Sequence, residues 1–121
     1  MRRHPEESLH RAVACFLNVA LVDDAFWTTI PAGGGGRVRG AILKAMGYRR
    51  GTPDILIVWQ GKAYWIELKA KNGRVSGAQW EVRKALARAG SHVGFAYSAD
   101  EVESLLRCWG IPLRATMGRA A

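Results

Sequence analysis

The sequence predicts a single α/β domain in which a mixed central β-sheet is flanked by α-helices. First, stretches with helical periodicity are separated by shorter strand-like runs along the chain. Second, the runs over residues 55–59 and 63–69 are mostly apolar on both faces, which is typical of a sheet covered on each side. Third, 121 residues that are 49% hydrophobic suffice for one core but not for two.

The N-terminal half begins with a predicted helix over residues 4–22. Pro5 suits its first turn, and apolar residues recur along it with the 3.6-residue period. A short β-like run follows at residues 26–30. Residues 31–51 are predicted to form a mobile, basic, glycine-rich loop with room for a short helix over residues 38–46, because consecutive glycines are costly to order.

The next two strands are predicted to form a β-hairpin. A turn centred on Gly61 and Lys62 would place Asp54 opposite Lys69, with Glu67 diagonally across from Asp54. Because side chains alternate between the two faces of a strand, these three ionisable groups would share one end of one sheet face.

The remaining chain is predicted to add two helices and one strand. Ser76 is suited to cap a helix over residues 77–89, and residues 92–97 form a strand-like run. A capping-box pattern opens a last helix over residues 98–109. Residues 112–121 are predicted to be a loose, basic tail.

The chain is strongly basic, with a formal net charge of +8 and a pI near 10.2. Such a balance favours a nucleic acid or an anionic membrane as the partner. The membrane is the weaker choice, because no apolar run approaches the roughly 20 residues that span a bilayer. A nucleotide cofactor is not expected, since the glycines match neither a GxGxxG nor a GK[ST] pattern.

The predicted location is the cytoplasm. No apolar segment of a secretory signal peptide follows the basic N-terminus. The two cysteines, Cys15 and Cys108, are far apart and match no zinc-binding spacing, which favours a reducing interior. Cys15 lies in an apolar helical stretch and is expected to be buried.

Asp54 and Glu67 are the only acidic residues between Phe26 and Trp80, against nine Lys and Arg residues. In the predicted register they are roughly 7–8 Å apart at Cα, so both carboxylates can reach one hard cation. Such an ion offsets phosphate charge and lowers the pKa of bound water, which favours phosphodiester hydrolysis. Lys69 is placed to hold the attacking water or to stabilise the transition state. Alternatively, Lys69 neutralises the two acids in a structural ion pair.

Two further residues are candidates for the same site. Glu6 shares the inward stripe of the first helix, where an acid is costly unless it meets a cation. Alternatively, Glu6 is a first-turn charge that interacts favourably with the helix dipole. The neighbouring Glu7 is expected to be solvated. Gln79 shares the inner stripe of its helix and could contact the lysine or a metal-bound water, although Ser76 and Gln79 also form a capping-box pattern.

Seven basic residues are the predicted phosphate contacts. They are Arg37, Arg39, Lys44, Arg49, Arg50, Lys71 and Arg74. These residues flank the predicted site on both sides in the sequence, which favours binding of a polyanion over the alternative of a merely solubilising loop.

Ordered motifs give the chain a resemblance to a known family. The strings Gly51–Asp54, Ile66–Lys69 and Ser76–Gln79, with a short strand after the first, resemble the VRR-NUC family of the PD-(D/E)xK nuclease superfamily. The chain resembles in particular the small stand-alone members that are common in phages and bacteria. The resemblance implies a restriction-endonuclease-like core, dependence on Mg²⁺ or Mn²⁺, and cleavage of branched or flapped DNA. It also implies a homodimer that cuts four-way (Holliday) junctions in the cytoplasm of a bacterium or phage-infected cell.

The resemblance implies a role for each matched residue. The matched positions are Asp54, Glu67, the backbone carbonyl of Leu68, Lys69, Glu6 and Gln79. Asp54 and Glu67 match the two metal-binding acids, and the Leu68 carbonyl matches a further metal ligand. Lys69 matches the catalytic lysine. Glu6 matches the first-helix acid, which is also a metal-ligand candidate, and Gln79 matches the motif glutamine. Two departures, His10 where relatives often have Gln and the glycine-rich insertion at Gly33, leave the substrate preference open.

The sequence therefore predicts a metal-dependent, structure-specific DNA endonuclease. Two alternatives stay open at this point. One is a non-catalytic, basic DNA-binding accessory module whose acid–lysine cluster is structural. The other is a nuclease that acts on linear DNA or on RNA, because recognition of nucleic-acid shape leaves no short sequence signature.

Overall fold

The structure, a computed structural model, describes residues 5–31 and 36–118. The predicted helix start at His4, the glycines 33–35 of the predicted loop and residues 119–121 of the predicted tail lie outside the described residues. In chain order the elements are α1 (Pro5–Ala20), β1 (Phe26–Thr29), α2 (Gly36–Ala45), β2 (Ile55–Trp59), β3 (Lys62–Leu68), α3 (Gly77–Arg88), β4 (His92–Ala96) and α4 (Ala99–Cys108).

The strands form a mixed sheet in the order β1-β2-β3-β4. Strand β2 is antiparallel to both of its neighbours, β1 and β3, whereas β4 runs parallel to β3. A parallel neighbour requires a crossover connection, and α3 supplies it. The predicted α/β class, with a mixed sheet flanked by helices, is confirmed.

The hairpin between β2 and β3 turns one residue earlier than predicted. Trp59 pairs with Lys62, so the turn consists of Gln60 and Gly61 alone. Both turn residues have positive φ, 52° and 73°, which is the geometry whose twist matches that of two antiparallel strands. Gln60 is not one of the residues that usually mark such a turn, and the prediction therefore placed its centre too late.

The earlier turn changes which residues face each other across the hairpin. Ile55 pairs with Ile66, and continuing the ladder by one step places Asp54 directly opposite Glu67. The predictions that Asp54 lies opposite Lys69 and diagonal to Glu67 are therefore wrong. A shift of two residues keeps every side chain on its predicted face, so the three ionisable groups still share one side of the sheet.

The main core lies on the opposite side of the sheet, under α1 and α4. Its large, fully buried side chains come from both helices and from β2 and β3. They are Val13, Leu17, Ile55, Ile57, Ile66, Val102 and Leu106. Because this packing anchors β2 and β3 along their length, it also holds the ends of these strands, where Asp54 and Glu67 lie.

Helix α3 covers the other face, where Val82 is its buried residue. The segment before Asp54 packs against the start of this helix at Gly51. A Cβ atom at this glycine would clash with the carbonyl oxygen of Ala78, and the φ of 93° at Gly51 also favours glycine. Gly51 thus permits a close approach between the hairpin and the first turn of α3.

The segment after α4 is not a loose tail. Leu113 forms an isolated β-bridge with Leu21, and the Arg114 guanidinium pairs with Asp23 at 2.8 Å. Positions 111, 113, 115 and 117 are Ile, Leu, Ala and Met, and all four pack in or against the core. This period-two alternation gives an extended segment one apolar side, which explains why the segment docks.

The predicted basic loop contains helix α2, which begins two residues before the predicted short helix. None of the residues of α2 is buried. Val38, Ile42 and Met46 expose 75%, 52% and 78% of their surfaces. Helix α2 is therefore a surface helix rather than part of the core.

Both cysteines are free and exposed. The predicted burial of Cys15 is wrong, because the buried stripe of α1 runs through Val13, Phe16 and Leu17 and leaves position 15 outside it. Within residues 5–31 and 36–118, no helix has the length and apolar character needed to cross a bilayer.

Candidate active site

Two carboxylates meet where the hairpin strands end. Asp54 immediately precedes β2, and Glu67 is the penultimate residue of β3. The backbone N–H of Leu68 donates a hydrogen bond of 2.8 Å to Asp54 Oδ2, which fixes the orientation of that carboxylate. The Asp54 and Glu67 side chains are themselves within hydrogen-bonding contact. The start of β2 and the end of β3 thus bring the two acids together.

The environment of Glu67 disfavours its charged form. The residue exposes 5% of its surface. Burial, followed by the negative charge of Asp54 and their mutual hydrogen bond, raises the pKa of Glu67 from 4.5 to about 8, against an opposing effect of Lys69. The repulsion between two such carboxylates is removed when one of them binds a proton or when the pair binds a cation.

Gln79 connects this acid pair to the start of α3. Its side-chain N–H donates to Glu67 Oε2 at 3.1 Å. Its side-chain oxygen accepts from the backbone N–H of Ser76 at 2.9 Å, and its own backbone N–H donates to Ser76 Oγ at 3.1 Å. The capping box and the contact with the acid therefore exist together, because the two ends of one amide group perform different functions.

Lys69 is buried beside the acids, with 8% of its surface exposed. Its backbone N–H donates to the carbonyl of Ala96 at 2.9 Å, which continues the β3–β4 ladder past Leu68. Within the part of the chain that the structure describes, its ammonium group forms no ion pair. Lys69 therefore makes no direct ion-pair contact with the two acids, although its positive charge acts on Glu67. Lysine side chains are seldom this buried in folded proteins.

Glu6 and Glu7 lie at the start of α1 along a shared cavity of about 650 Å³, which Asp54 and Leu68 also line. The negative charge of Glu6 contributes to the raised pKa of Glu67, so Glu6 is electrostatically close to the pair. Glu7 instead pairs with Arg11 at 3.2 Å on the exposed surface. The structure thus brings Glu6 toward the acids, whereas Glu7 forms its ion pair with Arg11 on the same helix.

A bound metal ion would draw its ligands mainly from the acid pair. Among residues 5–31 and 36–118, no group of three or more His, Cys, Asp and Glu side chains is arranged to hold a metal. The pair itself, Asp54 and Glu67, offers carboxylate oxygens, and the Leu68 carbonyl follows at the end of the same strand. Oxygen donors and mutually repelling carboxylates suit a hard divalent cation, with water or phosphate oxygens completing its coordination.

The seven predicted phosphate contacts lie on two surface segments. Arg37, Arg39, Lys44, Arg49 and Arg50 belong to α2 and the loop after it, and Lys71 and Arg74 belong to the β3–α3 connection. All seven are exposed, and none forms an ion pair with an acid of the described chain. Their charges are therefore available to an anionic partner.

Tyr48 lies near the site and was missed by the sequence analysis. Burial, followed by the negative charges of Glu67 and Asp54, raises the pKa of its phenol. Its backbone N–H donates to the carbonyl of Leu43 at 2.9 Å, so this residue also connects the end of α2 to the site. The available sequence signal was its position as the one aromatic residue within the basic segment 31–51.

Comparison with known proteins supports the fold. No family model and no curated protein matches this chain. A solved structure named "VRR_NUC domain protein" is similar, with a TM-score of 0.71 and 21% sequence identity over 90% of each chain. The chain therefore has the fold of a VRR-NUC domain, as its motifs predicted.

Proposed function

We propose that this chain is a metal-dependent nuclease of the VRR-NUC family that hydrolyses phosphodiester bonds in DNA. The observation that supports it most directly is the convergence of Asp54 and Glu67 at one strand end, beside a buried lysine without an ion pair. The likeness of the fold to a VRR-NUC domain protein adds support.

Asp54, Glu67 and the Leu68 carbonyl would hold Mg²⁺ or Mn²⁺, and Glu6 lies close enough to assist through charge or through a water ligand. When bound, the ion would offset the negative charge of the phosphate and lower the pKa of a water molecule that attacks phosphorus.

The protein residues would orient these groups. Leu68 N–H fixes Asp54 through one hydrogen bond, and the Gln79 amide fixes Glu67 through another. The Lys69 ammonium would either hold the attacking water or stabilise the negative charge that develops on the phosphate oxygens. Because Lys69 has no ion pair in the described chain, its ammonium group is available for either contact.

The preferred substrate would be branched DNA, such as a four-way junction or a flap, and the active form a homodimer. The motif resemblance supports this finer assignment, and the seven exposed cations, which flank the acids in the sequence, support binding of a polyanion. Two symmetric cuts need two active sites, which a two-fold dimer would provide.

The test is a cleavage panel with labelled junction, flap, duplex and single-stranded DNA in Mg²⁺, Mn²⁺, Ca²⁺ or EDTA. The proposal predicts cleavage with Mg²⁺ or Mn²⁺, none with EDTA, and preference for a branched substrate. Asp54→Asn should abolish cleavage while junction binding persists. Asp24→Asn, which changes an exposed acid in the α1–β1 turn, is the matched control and should cleave like the wild type.

The same panel separates the two alternatives left open by the sequence. A non-catalytic accessory module would bind junctions and cleave nothing under any metal condition. A nuclease for linear DNA or RNA would cut the duplex, or an added RNA strand, at least as fast as the junction. Either result would contradict the proposed preference, and the first would contradict the proposed activity.

A further inference from the structure

Trp80 is an exposed aromatic residue next to the proposed active site. Of the five tryptophans in the chain it is the one on the surface, with 46% of the residue exposed. It immediately follows Gln79, whose amide contacts Glu67. Its indole is therefore accessible to a ligand.

The indole ring is held in place by its neighbours. The rings of Trp80 and Phe95 form a T-shaped pair, with centroids 5.5 Å apart and planes 72° apart. The guanidinium of Arg83 lies 5.4 Å from the centre of the Trp80 ring and 5.8 Å from that of Phe95. A ring fixed this way loses little conformational freedom when a ligand binds to it.

Two relationships connect this cluster to the acids. Phe95 pairs with Glu67 across the parallel β3–β4 ladder, so the two side chains are neighbours on one sheet face. Arg83 follows Gln79 by four residues on α3 and therefore lies one helical turn along the same side. The aromatic cluster thus continues the surface on which the phosphodiester would be cleaved.

Arg83 carries a charge that no acid of the described chain neutralises. It forms no ion pair, and its Nε atom has no hydrogen-bond partner there. The nearest acid along the helix, Glu81, pairs with Lys84 at 2.9 Å. The surroundings of the indole therefore favour an anionic ligand with a flat, stackable group.

We propose that Trp80, supported by Arg83 and Phe95, is a stacking site for an unpaired nucleobase adjacent to the active site. This inference rests on the proposed nuclease function. Nucleic acid supplies both features that the cluster fits, a planar base and a phosphate, and every base has a face that can stack on an indole. Bases inside an intact duplex are already stacked on each other, so the site would bind DNA with frayed, flapped or single-stranded nucleotides in preference to duplex.

The test measures DNA binding in EDTA, where no cleavage occurs, by anisotropy of labelled oligothymidine, a flap and a blunt duplex. Trp80→Ala should weaken binding to oligothymidine and the flap by roughly tenfold, within the range of one lost base–aromatic stack. Duplex binding should change less than about twofold, since its phosphate contacts remain. Trp80→Phe should retain most of the binding, whereas Trp80→Leu, which keeps an apolar side chain without a π face, should behave like the alanine variant.

Phe26→Ala is the matched control. Phe26 exposes 61% of its surface on β1, the edge strand opposite β4, and pairs with Val58 toward the turn end of the hairpin. Its removal should leave all three DNA affinities unchanged. Thermal unfolding of each variant identifies any loss that arises from misfolding.

Three results would overturn the stacking site. They are unchanged binding of oligothymidine by both Trp80→Ala and Trp80→Leu, an equal loss on duplex and single strand, or a change in oligomeric state in place of a change in DNA binding. Failure of the nuclease proposal would be visible separately. In that case the wild type cleaves nothing with Mn²⁺, whereas the Trp80 variants still lose affinity for unpaired DNA.

Discussion

Gln79 Nε2 donates a hydrogen bond of 3.1 Å to Glu67 Oε2, while the oxygen of the same amide accepts from the backbone N–H of Ser76. One side chain thus caps α3 and orients an acid of the proposed active site. The position of Glu67 is therefore coupled to the first turn of the helix that crosses between β3 and β4. Any change that loosens this turn should also affect the acid.

Gln79→Ala is predicted to lower both stability and cleavage. Loss of half of the capping box should cost about 1 kcal/mol. Loss of the group that orients a metal ligand should reduce cleavage about 10- to 100-fold. Urea unfolding and initial cleavage rates in Mn²⁺ measure the two effects. Ser76→Ala, which removes the cap but leaves the Glu67 contact, should lose similar stability with a smaller change in rate; equal rate losses would show that Gln79 acts only through the cap.

The stability of the metal-free protein should fall as pH rises toward 8. Because the folded protein binds the Glu67 proton more tightly than the unfolded chain, the contribution is complete below pH 4.5 and is lost as pH passes through about 8. Thermal unfolding in EDTA across this range should show a steeper decline for the wild type than for Glu67→Gln. Parallel curves for the two proteins would contradict the raised pKa.

A divalent ion should stabilise the protein more at pH 8 than at pH 6. At the lower pH the proton on Glu67 competes with the ion, and at the higher pH this competition is weaker. The shift in melting temperature on adding Mg²⁺ or Mn²⁺ measures this effect. The shift should vanish in Asp54→Asn and persist in Asp24→Asn. A shift that is independent of pH, or retained by Asp54→Asn, would place the ion elsewhere.

Lys69→Met is predicted to abolish most cleavage without loss of stability. The substitution keeps a largely buried, apolar side chain at this position and removes an ammonium group that forms no ion pair in the described chain, so melting temperature should stay close to that of the wild type. Loss of a group that stabilises transition-state charge should lower the rate by roughly 100-fold or more. Lys62→Met, at the other end of β3, is the control. A marked destabilisation of Lys69→Met would instead indicate a structural role.

Replacement of Arg49 and Arg50 by Gln should reduce the salt dependence of DNA binding. Each lost phosphate contact lowers the slope of log affinity against log salt by about 0.9. Affinity measured from low to moderate salt provides the slope. Arg107→Gln on α4, whose native residue pairs with Glu103 at 2.9 Å, serves as the control and should leave the slope unchanged. Unchanged slopes for the Arg49 and Arg50 variants would show that the loop after α2 is not part of the DNA interface.

Much of the fold and of the acid–lysine cluster could be predicted because local sequence patterns determine them. The alternation along β2 and β3 determines the face of each side chain, and that assignment survives a two-residue error in register. The register itself depended on the turn at Gln60, whose left-handed conformation is rare for its residue type.

The features that were missed depend on contacts between distant segments. The docking of Leu113 against Leu21 joins residues 92 positions apart, and the approach of Tyr48 to the acids depends on how the segment after α2 packs. The exposure of Trp80 likewise depends on how α3 packs over β4 rather than on the residue pattern within α3. Such contacts leave only weak local signals, as in the alternation of apolar residues over positions 111–117.

Titration of the protein with Mn²⁺, followed by the loss of the free-ion electron paramagnetic resonance signal, tests the shared metal site most directly. The wild type is predicted to bind Mn²⁺, with affinity lowered at least about tenfold in Asp54→Asn and in Glu67→Gln and unchanged in Asp24→Asn. The shared metal site would be contradicted if the wild-type protein bound no Mn²⁺ at pH 8. It would also be contradicted if Asp54→Asn and Glu67→Gln both bound Mn²⁺ with full affinity.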